Sequence, residues 1–224
     1  MEKVKIVFED KEMMVVEKPA LMTTTKEKRG ESETLEDYLR DIRPNNLPRN
    51  GIIHRLDKGT SGLILVAKTE EAFLGLKKQF KDRSLVKKYY CLVGGDTSFE
   101  GTIDMPITRS KYVFARFGVS EEGKRALTKF KLIKKYKKDA KFYSLLDIDL
   151  KTGRTHQIRV HLSHLRWPLV GDKVYGGEML EGLKRPFLHA YKIIFKHPVN
   201  NQEINVEIDL PEDLMEILNK YEEC

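Results

Sequence analysis

The chain has 224 residues, enough for a sizeable core and short for two full domains at the common ~100 to 200 residues each. With 40% hydrophobic and 33% charged residues it is globular rather than disordered, and no apolar run approaches the ~20 residues that a membrane span needs. Lys and Arg number 41 against 34 acidic residues, and the net charge of +7 favours a polyanionic partner, nucleic acid foremost.

VKIVFED and EMMVVEK, residues 4 to 10 and 12 to 18, read as two strands around a charged turn, and Lys18-Pro19 ends the second. ETLEDYLRDIR, 33 to 43, sets Leu35, Tyr38, Leu39 and Ile42 at helical spacing, with Ser32 or Thr34 as cap. PRNGIIHRLDKGTSG has breakers at Pro48, Gly51, Gly59 and Gly62 and predicts a loop feeding a strand, GLILVAK, 62 to 68. TEEAFLGLKKQFKDR, 69 to 83, predicts a helix capped by Thr69 with Ala72, Phe73, Leu76 and Phe80 inward; VKKYYCLVGG follows as a strand stopped by paired glycines. Between 99 and 150, FEGTIDMP, KYVFARFG, RALTKFKLI and FYSLLDIDL are extended runs that suggest antiparallel strands. THQIRVHLSHL, 155 to 165, predicts a helix capped by Thr155 with Ile158, Leu162 and Leu165 as its inner stripe. HAYKIIFKHP and QEINVEIDL add two strands, and a short helix starts at Pro211 with an acidic first turn. Strands and helices mix without βαβ alternation, so the expected class is α+β: one domain over 1–224, a mixed, mostly antiparallel sheet flanked by helices, with 1–20 as an N-terminal strand pair.

The opening MEKVKIVFEDKE has charges where a signal peptide has an apolar segment, and Cys91 and Cys224 form no disulfide framework or zinc cluster. A reduced, cytoplasmic protein is expected. Positive charge concentrates in KKQFKDRSLVKKYY and KFKLIKKYKKDAK, although the second cluster has an ordinary explanation as solvated lysines on a strand and its turn.

Asp57 is the residue whose placement asks most for a reason. It lies in a cationic loop between Arg55 and Lys58, beside His54, and a loop that feeds a buried strand is a rigid mount for chemistry. Taken alone, the loop favours a turn role, because Asp with Gly59, Thr60 and Ser61 after it makes side-chain-to-backbone turn bonds. A second informative stretch, KTGRTHQIRVHLSHLRWPLVGDKVYGG, 151 to 177, gathers Arg154, His156, Gln157, Arg159 and His161 at one helix start, where anions or carboxylates bind. Only His161 and His164 share a face and no acidic or Cys ligand stands beside them, so no metal is expected. Arg159, flanked by Ile158 and Val160, reads as a partly buried guanidinium that needs a partner, with Asp57 the natural candidate. HRLD lacks the other kinase motifs, DKGTSG lacks a Walker pattern, and Ser61 lacks the G-x-S-x-G elbow.

HRLDKGTSGLILVAKT, KKYYCLVGG and LKTGRTHQIRVHLSHLRWPLVGDKVYG, in this order, resemble the RluA-type pseudouridine synthases. DKEMMVVEKP is similar to that family's opening strand pair, GKRALTKFKLI to its GK-A-T strand and RPFLHAYKIIFKHP to its closing strand, so the resemblance runs over residues 5 to 210. In KPALM the chain departs from the family, with Leu21 where a Gly is usual. No separate N-terminal RNA-binding domain is expected.

The resemblance implies an isomerase that converts uridine in ribosomal or transfer RNA to pseudouridine, without cofactor or metal; a monomer is expected. It makes Asp57 the catalytic carboxylate, Arg159 its cationic partner and Tyr89 the residue that packs on the target base; Tyr90, on the opposite strand face, is left to core or surface. Arg55 becomes the side chain that fills the gap left by a flipped base. His54, Arg154, His156 and Gln157 either shape the site or touch RNA, and Leu188 with His189 closes the pocket wall. The alternatives are a non-catalytic RNA-binding or ribosome-assembly protein on the same fold, and an unrelated phosphotransferase built on DKGTSG.

Overall fold

The structure, a computed structural model, describes residues 4–26, 33–97, 100–110 and 116–224. In chain order the elements are β1 (Lys5–Glu9), β2 (Met13–Lys18), α1 (Leu35–Ile42), β3 (Ser61–Ala67), α2 (Glu70–Asp82), β4 (Val86–Gly94), β5 (Gly101–Asp104), β6 (Ile107–Arg109), β7 (Phe117–Val119), β8 (Leu127–Lys138), β9 (Lys141–Leu150), α3 (Gln157–His164), β10 (Leu188–Lys196), β11 (Glu203–Glu207), α4 (Glu212–Leu218) and β12 (Glu222–Glu223). The mixture of helices with antiparallel strands is the α+β class that the sequence predicts. The chain forms two compact units, Met1–Val86 with Ala190–Ile208, and Lys87–His189 with Asp209–Cys224.

In the first unit β1, β2 and β3 form an antiparallel meander, β10 lies beside β3, and β11 pairs antiparallel with β10. Asp10 makes the first turn, its Oδ1 accepting from the amides of Glu12 and Met13. Every residue of β3 is buried, as a continuous apolar run on a two-sided strand demands. Ala72, Phe73 and Leu76 of α2 pack on Met13, Val15, Leu63, Leu65, Ile193 and Phe195. Burying a side chain such as Phe73 or Leu76 is worth about 1.5–3 kcal/mol. Thr69 caps α2 and Thr34 caps α1 in a capping box with Asp37; the alternative cap, Ser32, lies outside the described residues. Gly62 has φ +121°, and a Cβ there would stand 2.3 Å from the Ala190 carbonyl oxygen, so β3 admits no side chain at that point.

In the second unit β4, β9 and β8 are antiparallel, with β5 and β12 pairing opposite ends of β8, while β6 and β7 form a separate hairpin. Much of the expected strand KYVFARFG, residues 111–115, lies outside the described residues. One sheet face, with Leu92, Tyr143 and Leu145, packs on Val170, Leu183, Phe187 and α4, and Tyr90 joins this core. Tyr89 sits opposite Ile148 and so takes the other face. The lysines of β8 behave as a solvated strand: Lys134 pairs with Glu223 and Lys135 with Asp96, while Lys129 and Lys131 stand across from Asp149 and Asp147.

The third helix corrects the sequence reading. It begins at Gln157, its N-cap is His156 in a left-handed conformation (φ 56°), and Thr155 is exposed and makes no cap. Instead of an inner stripe it buries all of Gln157 to Leu162, because each polar member of that run finds a partner. Leu165 is only half-buried.

Candidate active site

His54, Arg55 and Asp57 belong to the first unit, on the coil between the turn at Pro48–Gly51 and β3. The backbone on either side of Asp57 is pinned. Thr24, buried, donates its hydroxyl to the Leu56 carbonyl at 2.9 Å and accepts from the Leu56 amide at 3.2 Å. On the other side the Leu21 amide donates to the Lys58 carbonyl at 2.7 Å, and the Thr60 amide donates to the Asp57 carbonyl, closing the turn. Leu56 itself is buried, whereas Asp57 is half-buried and Arg55 and Lys58 are exposed. Leu21 has φ +65°, so the position where the resembled family carries Gly needs the left-handed region here as well, and a leucine holds it at a conformational cost.

His54 is committed to the loop. Its Nε2 accepts from the Leu65 amide at 3.1 Å, and its ring stacks on Phe80 with centroids 4.7 Å apart. Of the two roles open to it in the sequence, this geometry supports loop shaping. Below the loop stands Lys18, wholly buried, its Nζ donating to the carbonyls of Pro19 and Met22 at 2.8 Å each. The buried ammonium thereby orders the segment that carries Leu21 and Thr24.

The other site residues belong to the second unit. Arg159 is 7% exposed and Asp172 1% exposed, and the two form a bidentate pair: Nε donates to Oδ2 at 2.6 Å and Nη2 to Oδ1 at 2.9 Å. The buried arginine thus has the carboxylate partner its surroundings require, supplied by a residue of its own unit that the sequence reading did not single out. Asp172 Oδ1 also accepts from the amides of Val174 and Tyr175, which turns the chain so that the Tyr175 ring faces the guanidinium, 5.0 Å from centroid to Cζ. The Tyr175 hydroxyl accepts from the Phe117 amide and lies 3.0 Å from His156 Nδ1. His156, half-buried, is therefore tied to Arg159 through a shared aromatic neighbour.

Gln157, placed by the sequence among residues that shape the site or touch RNA, is 2% exposed and fully engaged. Its Oε1 accepts from the Thr152 hydroxyl and the Arg154 amide, and its Nε2 donates to the Leu127 carbonyl and the Thr128 hydroxyl. Its amide is thereby engaged inside the fold. His161, also buried, bridges Thr128 and the Met105 carbonyl, and burial lowers its pKa. Arg154 is half-buried and donates from Nε to the Arg125 carbonyl. Tyr89 is almost wholly buried.

Leu188 and His189 open β10, and both are buried. The Leu188 carbonyl accepts from Arg185 Nη1, and Arg185 forms a second bidentate pair, with Asp213, at 2.7 and 2.8 Å. Burial, then the adjacent Arg185 charge, pushes the His189 pKa down to about 3, so the ring is neutral at ordinary pH. Among the described residues no group of three or more His, Cys, Asp or Glu is placed to hold a metal.

Asp172 was legible in part. It stands in the same 151–177 stretch as Arg159, and the demand of a buried arginine for a carboxylate was the signal. Thr24 and Lys18 gave no signal beyond their residue types.

The family model described as RNA pseudouridylate synthase matches residues 12–164. The ribosomal large subunit pseudouridine synthase D of Xanthomonas campestris pv. campestris is 35% identical over 97% of this chain and 69% of its own length. The protein of the same name from Pseudomonas aeruginosa is 37% identical over 96% of this chain and 70% of its own. Among solved structures, human RNA pseudouridylate synthase domain containing 1 superposes with a TM-score of 0.79 at 26% identity, covering 100% of this chain and 89% of that one. Human RNA pseudouridylate synthase domain containing 4, at 22% identity and a TM-score of 0.76 over 97% and 93% of the two chains, shares the fold.

Proposed function

Given that the chain belongs to the RNA pseudouridylate synthase family and is an isomerase, we propose that it converts specific uridines of ribosomal RNA to pseudouridine in the cytoplasm, with Asp57 as the catalytic carboxylate. The observation that carries the assignment of Asp57 is the double clamp on its loop. Thr24 holds the residue before it and Leu21 the residue after it, leaving a half-buried carboxylate on a fixed backbone.

The reaction balances without an oxidant or reductant. The bond from ribose C1′ to uracil N1 breaks, a bond from C1′ to C5 forms, and the C5 hydrogen leaves as a proton while N1 gains one. A carboxylate serves this chemistry by attacking the ribose or by taking a proton as the glycosidic bond breaks. Arg159 is the cationic partner in this reading, and Tyr89 the platform for the base. A stacked uridine cannot reach such a group, so the base flips at a cost of a few kcal/mol. Arg55, exposed two residues before Asp57, is the side chain proposed to fill the gap with its flat guanidinium. His156 and Arg154 are the further residues this reading assigns to RNA contact, and Leu188 the one it assigns to the pocket wall.

The ribosomal substrate rests on the names of the relatives, and transfer RNA is the other arm of the test. RNA labelled with tritium at uracil C5 releases label only when C5 is substituted. Release from large-subunit ribosomal RNA and none from transfer RNA is expected. Tight RNA binding with no release from either would favour the non-catalytic alternative.

A further inference from the structure

Arg159 is held by more than a salt bridge, through Asp172 and Tyr175 of its own unit. The Asp172 carboxylate occupies the side of the guanidinium formed by Nε and Nη2, at 2.6 and 2.9 Å. The guanidinium carbon lies over the Tyr175 ring, 5.0 Å from its centroid. A guanidinium gripped along that side by two bonds, with a ring beside it, has little freedom about its last torsions. Its end-on edge, Nη1 with the second proton of Nη2, is turned away from Asp172 and fixed in direction.

Tyr175 is fixed in turn. Its amide donates to Asp172 Oδ1, and its hydroxyl accepts from the Phe117 amide at the start of β7 and meets Nδ1 of His156, the N-cap of the helix that carries Arg159. Asp172 also shapes the turn, through the Val174 and Tyr175 amides, and a turn-forming aspartate is the simpler explanation of its presence. Turn bonding needs only Oδ1 as an acceptor, however, and an asparagine supplies that. The close Oδ2 contact with Arg159 Nε requires a second acceptor that asparagine lacks.

We propose that Asp172 and Tyr175 are positioning residues for the isomerisation, a cradle that aims the end-on edge of Arg159. The inference rests on the proposed role of Arg159 in catalysis. It adds two residues to the apparatus, neither of which touches the substrate.

Asp172→Asn separates turn formation from the cradle, since Oδ1 stays while the Nδ2 that replaces Oδ2 faces the Arg159 Nε–H, donor against donor. Single-turnover tritium release at saturating RNA should fall by about 100-fold, as expected when a reacting group is misplaced by ~1 Å. RNA affinity, measured by filter binding, should change less than threefold, a split that general loosening of the fold does not produce. In an Arg159→Lys background the same substitution should cost less than threefold more, because the group it aims is gone. Wild-type release rates from a folded Asp172→Asn protein, or an undiminished 100-fold loss in the Arg159→Lys background, would overturn the proposal.

If Asp172→Asn does not fold, Tyr175→Leu carries the test, for it removes the ring and leaves the ion pair. A tenfold or greater loss of rate with unchanged RNA affinity is expected, and an unchanged rate contradicts the cradle. Failure of the functional reading looks different: wild-type protein then releases no label, or Arg159→Lys itself is fully active.

Discussion

The two regions that carry the candidate chemistry are fixed by opposite means. Asp57 stands on coil between Arg55 and Lys58, which are exposed, and the backbone on either side of it is held by Thr24 and Leu21, with the His54 side chain anchoring the start of the loop. Arg159 stands in the buried run Gln157–Leu162 of its helix and is held through its side chain, by a carboxylate and a ring. A backbone clamp holds residue 57 in place without dictating its chemistry, which the proposed function assigns to the Asp57 carboxylate. A side-chain clamp joins placement to stability, so a change that releases Arg159 also disturbs the fold.

That contrast can be broken by measurement. Asp172→Ala strands a buried guanidinium and should destabilise the protein by about 3–5 kcal/mol, whereas Asp57→Asn should change stability by less than ~0.5 kcal/mol. Denaturant titrations of both variants decide it, and equal losses would erase the distinction. Thr24→Val keeps the shape of the clamp and removes its hydroxyl. Two buried backbone groups of Leu56 then lose their bonds, for about 1–3 kcal/mol, and the isomerisation rate should fall with them while RNA binding holds.

The second unit also carries a pH dependence. His189 is buried neutral with its pKa near 3, and an unfolded histidine titrates near 6.5. Below pH 6.5 the unfolded state binds the extra proton and the native state does not, so stability is complete above that pH and is lost as pH falls toward 3. The slope approaches ~1.4 kcal/mol per pH unit for one such group. His161, lowered by burial as well, acts in the same direction. Unfolding midpoints between pH 7 and 5 should therefore decline more steeply for wild type than for His189→Asn, whatever their absolute values. The smallest effect concerns the backbone clamp. Leu21 is 52% exposed at φ +65°, so Leu21→Gly gives up little burial, relieves the left-handed strain and should stabilise by about 0.5–1 kcal/mol, read from the melting temperature.

The fold was legible wherever a local pattern decides it. The capping threonines of α1 and α2, the apolar run of β3, the alternation that sends Tyr89 and Tyr90 to opposite faces and the acidic first turn of α4 are all local. The start of α3 was misplaced because Thr155 looks like a cap, whereas the chain uses a left-handed His156 that hydrogen bonds to Tyr175, a partner 19 residues away. The same limit hid the Asp172 pair and the Thr24 clamp: a hydroxyl 32 residues from the backbone it holds leaves no periodic trace. The burial of polar residues such as Lys18 and Gln157 left no trace in the sequence, since residue type alone does not reveal that their hydrogen-bonding groups are met inside.

The central claim is that Asp57 is where the chemistry happens and that its loop is only a mount. Tritium release from C5-labelled ribosomal RNA by purified Asp57→Asn protein, beside wild type at equal occupancy of RNA, tests it directly. Release should drop by at least 1000-fold, of the order seen when a covalent or general-acid-base group is removed, with RNA affinity and melting temperature retained. Release by Asp57→Asn at the wild-type rate would contradict the assignment and return Asp57 to the role of an ordinary turn residue.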